Sequence, residues 1–170
     1  MKRALVFAVL VAGPVAAQAP KIDPTWLKVD SGPRVEFSLT AGLTPANGGM
    51  NFNGASGGGL TLTVPAHWTV ILHFRNGDQV LPHSAMVIAA VTPVPVSGAK
   101  PAMVHAVTRQ AEQGLPADAH EDVQFVADRA GSYLLYCAVP GHGAAGMWIR
   151  LEVSDTARQP ELAATPAKAP

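Results

Sequence analysis

Between residues 33 and 154 apolar side chains recur at every second position in short runs. Val35, Phe37 and Leu39 alternate with polar neighbours, and Leu60, Leu62 and Val64 do so again. After a turn at Pro65 and Ala66 the same period resumes at Val70, Leu72 and Phe74. A period of two belongs to a strand with one buried face and one wet face. Met86 to Val91 is a continuous apolar run of strand length, closed by the Pro-rich stretch Thr92 to Pro95. Phe125 marks a further strand, and Ser132 to Ala138 and Met147 to Val153 make the last two. Turn residues separate these runs: Asn76-Gly77-Asp78, where Gly77 is expected to take a positive φ, and Asp128 to Gly131. One interruption differs in period. Val104 to Gly114 is rich in Ala, Gln and Glu and ends in Gly, which predicts a short helix with His105, Arg109 and Glu112 on an exposed stripe. Seven or so short strands punctuated by turns predict an all-β sandwich or small barrel closed by antiparallel pairing.

Three stretches lack a period. Residues 18–32 read as a Pro-bearing N-terminal extension. Residues 41–59 are too rich in Gly and Asn for a regular element, and a loop of that length is uncommon enough to suggest a role. Residues 155–170 combine Pro, Ala and charge without a repeating face and read as a disordered tail. At the other end, Lys2 and Arg3 precede the apolar run Ala4 to Ala12, and small residues follow through Ala17. Residues 1–17 therefore read as an export signal, too short in its apolar part to span a bilayer, and the mature domain is expected in the periplasm. The whole chain has a formal net charge of zero, and loss of Lys2 and Arg3 would leave it two units negative. That balance gives no electrostatic attraction to nucleic acid or to an anionic membrane. A lone cysteine, Cys137, cannot close an intrachain disulfide, and in an oxidising compartment it needs protection.

The chemistry concentrates in the eleven residues CAVPGHGAAGM, from Cys137 to Met147. Cys137, His142 and Met147 are spaced five apart in a turn of small residues. A thiolate, an imidazole and a thioether together favour a soft, redox-active ion such as copper. Strand parity agrees. Tyr133, Leu135 and Cys137 share one side, and Met147, Ile149, Leu151 and Val153 share another, so both sulfurs should face the interior at adjacent strand ends. A second imidazole is needed, and five histidines remain. His67 follows a turn, His73 lies opposite the apolar face of its strand, and His105 and His120 have no evident partner ligand. His83, in Pro82-His83-Ser84 at the entry to an apolar strand, is best placed, because a scaffold can hold a ligand there from a distant part of the chain. No orienting acid or amide for a thiol enzyme, no second metal centre and no second cysteine for a paired-copper site are evident, so the chain does not read as an enzyme.

These pieces together resemble the cupredoxin family of blue copper proteins, and more narrowly its sulfocyanin and rusticyanin branch. The matching stretches are NFNGASGGG (Asn51 to Gly59), VPAHWTVILHFRN (Val64 to Asn76), LPHS (Leu81 to Ser84), GSYLLYCAVPGH (Gly131 to His142) and GMWIRLEV (Gly146 to Val153). With their spacing they cover most of residues 33–154. The resemblance implies a Greek-key β-sandwich of about eight strands and one mononuclear type 1 copper, Cu(II)/Cu(I), per chain. Its ligands would be His83, Cys137, His142 and Met147, with Ser84 tying the two ligand loops together by hydrogen bonds. It further implies a monomeric periplasmic carrier of single electrons between cytochromes or other respiratory donors and acceptors, a terminal oxidase among them. A periplasmic copper carrier or chaperone, which shares the ligands but exchanges metal readily, is the alternative. The small residues Gly143, Ala144 and Ala145 depart from the bulkier loops of that family and flatten the surface around His142.

Overall fold

The computed structural model describes residues 21–165; the expected export signal lies outside them. Among the described residues nine strands form two sheets: β1 (Leu27–Val29), β2 (Arg34–Ala41), β3 (Leu60–Pro65), β4 (Thr69–Asn76), β5 (Met86–Ala89), β6 (His120–Val126), β7 (Gly131–Tyr136), β8 (Trp148–Ser154) and β9 (Glu161–Ala164). One sheet runs β1-β2-β4-β6 and the other β5-β7-β8-β3-β9. Most neighbours are antiparallel, but β2 with β4 and β3 with β8 are parallel, and the crossovers between the sheets make a Greek-key sandwich, as the resemblance implied. The alternation in the sequence is what packs it. Val35, Phe37 and Leu39 of β2 stand in register with Val70, Leu72 and Phe74 of β4, and all six are buried. Across the sandwich they meet Leu60, Leu62 and Val64 of β3 and Ile149, Leu151 and Val153 of β8. Each fully buried side chain of this size stabilises the fold by roughly 1.5–3 kcal/mol.

The segment expected to be a helix, residues 104–114, is instead a series of turns. Its backbone groups are used elsewhere: Val87 N–H donates to Ala106 O at 2.9 Å and Thr108 N–H to Ala85 O at 2.9 Å. His105 and Gln110 have φ of 63° and 50°, which no helix accommodates. The open edge of β5 offers unpaired donors and acceptors, and covering them outweighs the modest helix propensity of the segment. The lid so formed buries Met86, Ile88, Leu134 and Tyr136 in a second, smaller apolar cluster against Val107 and Ala111.

Both flanks are more ordered than their composition suggests. Within the expected N-terminal extension, β1 pairs with β2, Leu27 standing opposite Phe37. Within the expected disordered tail, β9 pairs antiparallel with β3, and Leu162 packs on the main core. At the turn after β4, Gly77 is not among the positive-φ residues. The reversal is made by side chains instead: Asn76 Oδ1 accepts from Asp78 N–H, and Asp78 Oδ1 accepts from Val80 and Leu81 N–H.

Candidate metal centre

Three side chains meet at one end of the sandwich, each fixed by its own backbone contacts. His83 precedes β5 and is locked to Leu115 by two hydrogen bonds, His83 N to Leu115 O at 3.2 Å and Leu115 N to His83 O at 2.7 Å. Gly114, at φ 75°, makes that approach possible, since a Cβ there would lie 2.9 Å from His83 N. Cys137 follows β7 and extends its ladder, donating N–H to Met147 O at 3.0 Å. The chain then turns, with His142 N–H to Val139 O at 3.1 Å and Met147 N–H back to His142 O at 3.0 Å. Gly143 crosses over the Tyr136 ring, where a Cβ would overlap the ring carbons. A nearby Pro-rich loop braces the turn from outside through Gly141 N–H to Val96 O at 2.9 Å.

The three donor atoms converge. His83 Nδ1 and His142 Nδ1 lie 3.3 Å apart, and Cys137 Sγ is 3.9 Å from the first and 3.6 Å from the second. His83 and Cys137 are wholly buried, whereas His142 is partly exposed. Burial pushes the Cys137 thiol up in pKa, against the opposing pull of Ser84 and Val139 backbone donors. Burial lowers His83, with the Asp78 carboxylate partly opposing it, and burial lowers His142, with His83 adding to the effect. Burial thus disfavours charge on all three groups, whose donor atoms face one point. This donor set fits a soft redox ion better than a hard one, and a trigonal arrangement of two imidazoles and a thiolate is that of type 1 copper. It is the single such cluster among the described residues, which accords with one copper per chain.

Ser84 joins the two ligand stretches. Its N–H points to Cys137 Sγ at 3.4 Å, its hydroxyl lies 3.7 Å from the same sulfur, and that hydroxyl accepts from Ala138 N–H at 3.0 Å. Met147 is fully buried at the head of β8. The other histidines stay apart. His73 sits on the outer face of β4 with Nδ1 2.7 Å from Asp122, while His67, His105 and His120 are exposed. Sequence reasoning missed Asp78, whose Oδ2 is 3.3 Å from His83 Nε2. In the sequence it is only the third residue of a turn, five positions before the histidine it reaches.

Comparisons with known proteins agree with this fold. A curated sulfocyanin of Sulfolobus acidocaldarius is 35% identical over 118 residues, covering 65% of this chain and 59% of that protein, so the match spans less than two thirds of the relative. Rusticyanin from Thiobacillus ferrooxidans superposes with a TM-score of 0.53 at 23% identity, covering 76% of this chain and 86% of that one. Reduced auracyanin from Roseiflexus castenholzii gives 0.50 at 16% identity, with 70% and 96% covered. Both structures share the fold. The Sulfocyanin (SoxE) domain family matches residues 25–163, nearly all of the sandwich and all three converging side chains, and this chain belongs to it.

Proposed function

We propose that the protein is a blue copper electron carrier outside the cytoplasmic membrane, exchanging single electrons with respiratory redox proteins and catalysing no reaction of its own. The observation that carries the reading is the meeting of Cys137 Sγ with His83 and His142 Nδ1 in a buried pocket, from two stretches more than fifty residues apart. Copper bound there would supply a one-electron couple at a site whose thiolate provides a polarisable route for the electron. Met147 is proposed as the weak axial ligand. Its burial, and its backbone bonds to both Cys137 and His142, support that role.

The chain's own part is to hold the donors still. Two ladder ends, the His83–Leu115 bridge and the Ser84 contacts fix the ligand backbones whatever the charge at the centre, so little has to rearrange when an electron arrives or leaves. On ligation the Cys137 proton must depart, which makes metal uptake easier as pH rises. His142 is the ligand nearest solvent, amid exposed Ala144 and Ala145, and a flat surface of small residues lets a partner approach its ring closely.

Adding Cu(II) to the purified metal-free protein should produce intense thiolate-to-copper absorption, lost in Cys137→Ala and in His83→Ala but kept in His73→Ala. A weak d-d band alone would favour the copper carrier instead. Met147→Leu should keep the colour and raise the potential. A large fall by voltammetry would exclude Met147 as the axial ligand.

A further inference from the structure

Asp78 and the Gly- and Asn-rich loop of residues 41–59 have no part in the ligand set, yet they are built around one of its members. Asp78 Oδ1 is committed to the backbone N–H groups of Val80 and Leu81, at 2.8 and 3.0 Å, so the carboxylate has a fixed orientation. Its other oxygen faces His83 Nε2 at 3.3 Å, on the side of the ring away from Cys137 and His142. The His83 side chain is wholly buried and that of Asp78 is 13% exposed. The loop packs against the carboxylate. At Gly42 (φ 64°) a Cβ would come within 2.6 Å of Asp78 Cβ, and at Gly49 (φ 85°) it would overlap Asp78 Oδ2. The buried amide of Asn51 holds this stretch in shape, donating to the carbonyls of Thr44 and Ala46 at 2.8 Å each. The two glycines are therefore required for the space their missing side chains leave, and Asp78 fills it.

We propose that Asp78 is a positioning residue for the metal centre: its carboxylate holds the His83 proton on Nε2, so that Nδ1 is presented unprotonated to the metal, and its negative charge favours the oxidised centre. The glycines of the 41–59 loop serve to seat it. A carboxylate behind a ligating imidazole fixes the ring's tautomer and orientation and raises its basicity. A negative charge on a mostly covered side chain is only partly screened, so it favours the more positive of two metal states. The inference rests on the copper reading for the second effect, while the tautomer effect belongs to the metal-free protein as well.

The test uses the full-length chain and three variants. Asp78→Asn keeps the shape, removes the charge and leaves one acceptor oxygen where the carboxylate has two. It should retain the thiolate absorption and lower the ratio of Cu(II) to Cu(I) affinity about tenfold, a rise of about 59 mV in potential for one electron. Asp78→Ala removes the acceptor. In the metal-free protein, nitrogen-15 shifts of His83 should then move from a fixed Nε2–H tautomer to an exchanging mixture. Gly49→Ala, which displaces the carboxylate without deleting it, should reproduce the Asp78→Ala shifts. An unmoved potential in Asp78→Asn, or an unchanged His83 tautomer in Asp78→Ala, overturns the proposal. Failure of the copper reading would show separately, as a parent protein without thiolate absorption, and the nitrogen-15 comparison would still decide the Asp78–His83 pairing.

Discussion

Ser84 shows how one small side chain can set both the stability and the potential of such a centre. Its hydroxyl is wholly buried, accepts from Ala138 N–H and points toward Cys137 Sγ. A hydrogen bond to the sulfur draws density from it and makes it a poorer partner for the oxidised ion. Ser84→Ala should therefore lower the potential, by about 40 mV if the differential is about 1 kcal/mol. The same change leaves Ala138 N–H buried without an acceptor, at a cost of about 1–3 kcal/mol in the metal-free protein. Voltammetry and thermal unfolding read the two effects independently, and a potential that rises would refute the sulfur contact. Side chains differ in how openly the sequence declares them. Cys137, His142 and Met147 lie within a single turn, so spacing alone joins them. From its residues alone His83 is only the best placed of five candidates, since what fixes it is a bridge to Leu115, thirty-two positions away. Asp78 was invisible, because nothing in an Asn-Gly-Asp turn indicates that the second carboxylate oxygen faces inward.

Strands with a buried alternating face were readable, and those whose reason for existing lies in a neighbour were not. β2, β3, β4 and β8 carry their apolar period in the sequence and occupy the sheet centres. β9 is four residues, Glu161–Ala164, half exposed and rich in Ala, and it is a strand only because β3 presents an open edge. The 104–114 segment is the converse, a stretch of helix-forming residues drawn into turns by the open edge of β5. A chain ending at Arg158 tests the first of these. It loses the β3 pairing, the Leu162 packing and the 2.6 Å contact between the Thr61 and Thr165 hydroxyls. At roughly 2 kcal/mol the loss should lower Tm by about 4–8 °C, since a protein of this size shifts about 2–4 °C per kcal/mol. The exposed β3 edge should also promote self-association on heating. None of the ligand residues lies in the removed segment, so the visible spectrum of the copper-loaded chain should not change. An altered spectrum would mean that the far edge of the sheet shapes the centre.

In the molecule as a whole, apart from Asp78, the paired charges lie away from the donors. The donors lie at one end of the sandwich, while an ionic network covers the outer face of the β1-β2-β4-β6 sheet. There Lys28 and Glu36 are 3.1 Å apart, Arg34 and Asp30 3.1 Å, and Arg75 and Asp118 2.9 Å. Hydrogen bonding and charge from Lys28 hold the Glu36 carboxyl below its ordinary range, and Arg75 does the same for Asp118. A carboxyl whose pKa is lower folded than unfolded binds fewer protons when folded. Its contribution is therefore complete above the unfolded pKa, about 4, and is lost as pH falls through the folded value. These groups are open to solvent or, like Glu36, partly covered at the surface, so their attraction is shallow and screened by salt. The metal-free protein should accordingly lose stability as pH falls below about 4, more at low ionic strength than at high. Glu36→Gln should leave Tm near neutrality almost unmoved and make the acid fall gentler, because the variant has one carboxyl fewer to protonate on unfolding. Since Glu36 is on the opposite sheet from Cys137, the copper-loaded variant should keep the parent's potential and absorption. Thermal scans from pH 3 to pH 7 at two salt concentrations decide the matter: an acid fall equally steep in the variant and the parent would show that the network on this face does not set the acid limit.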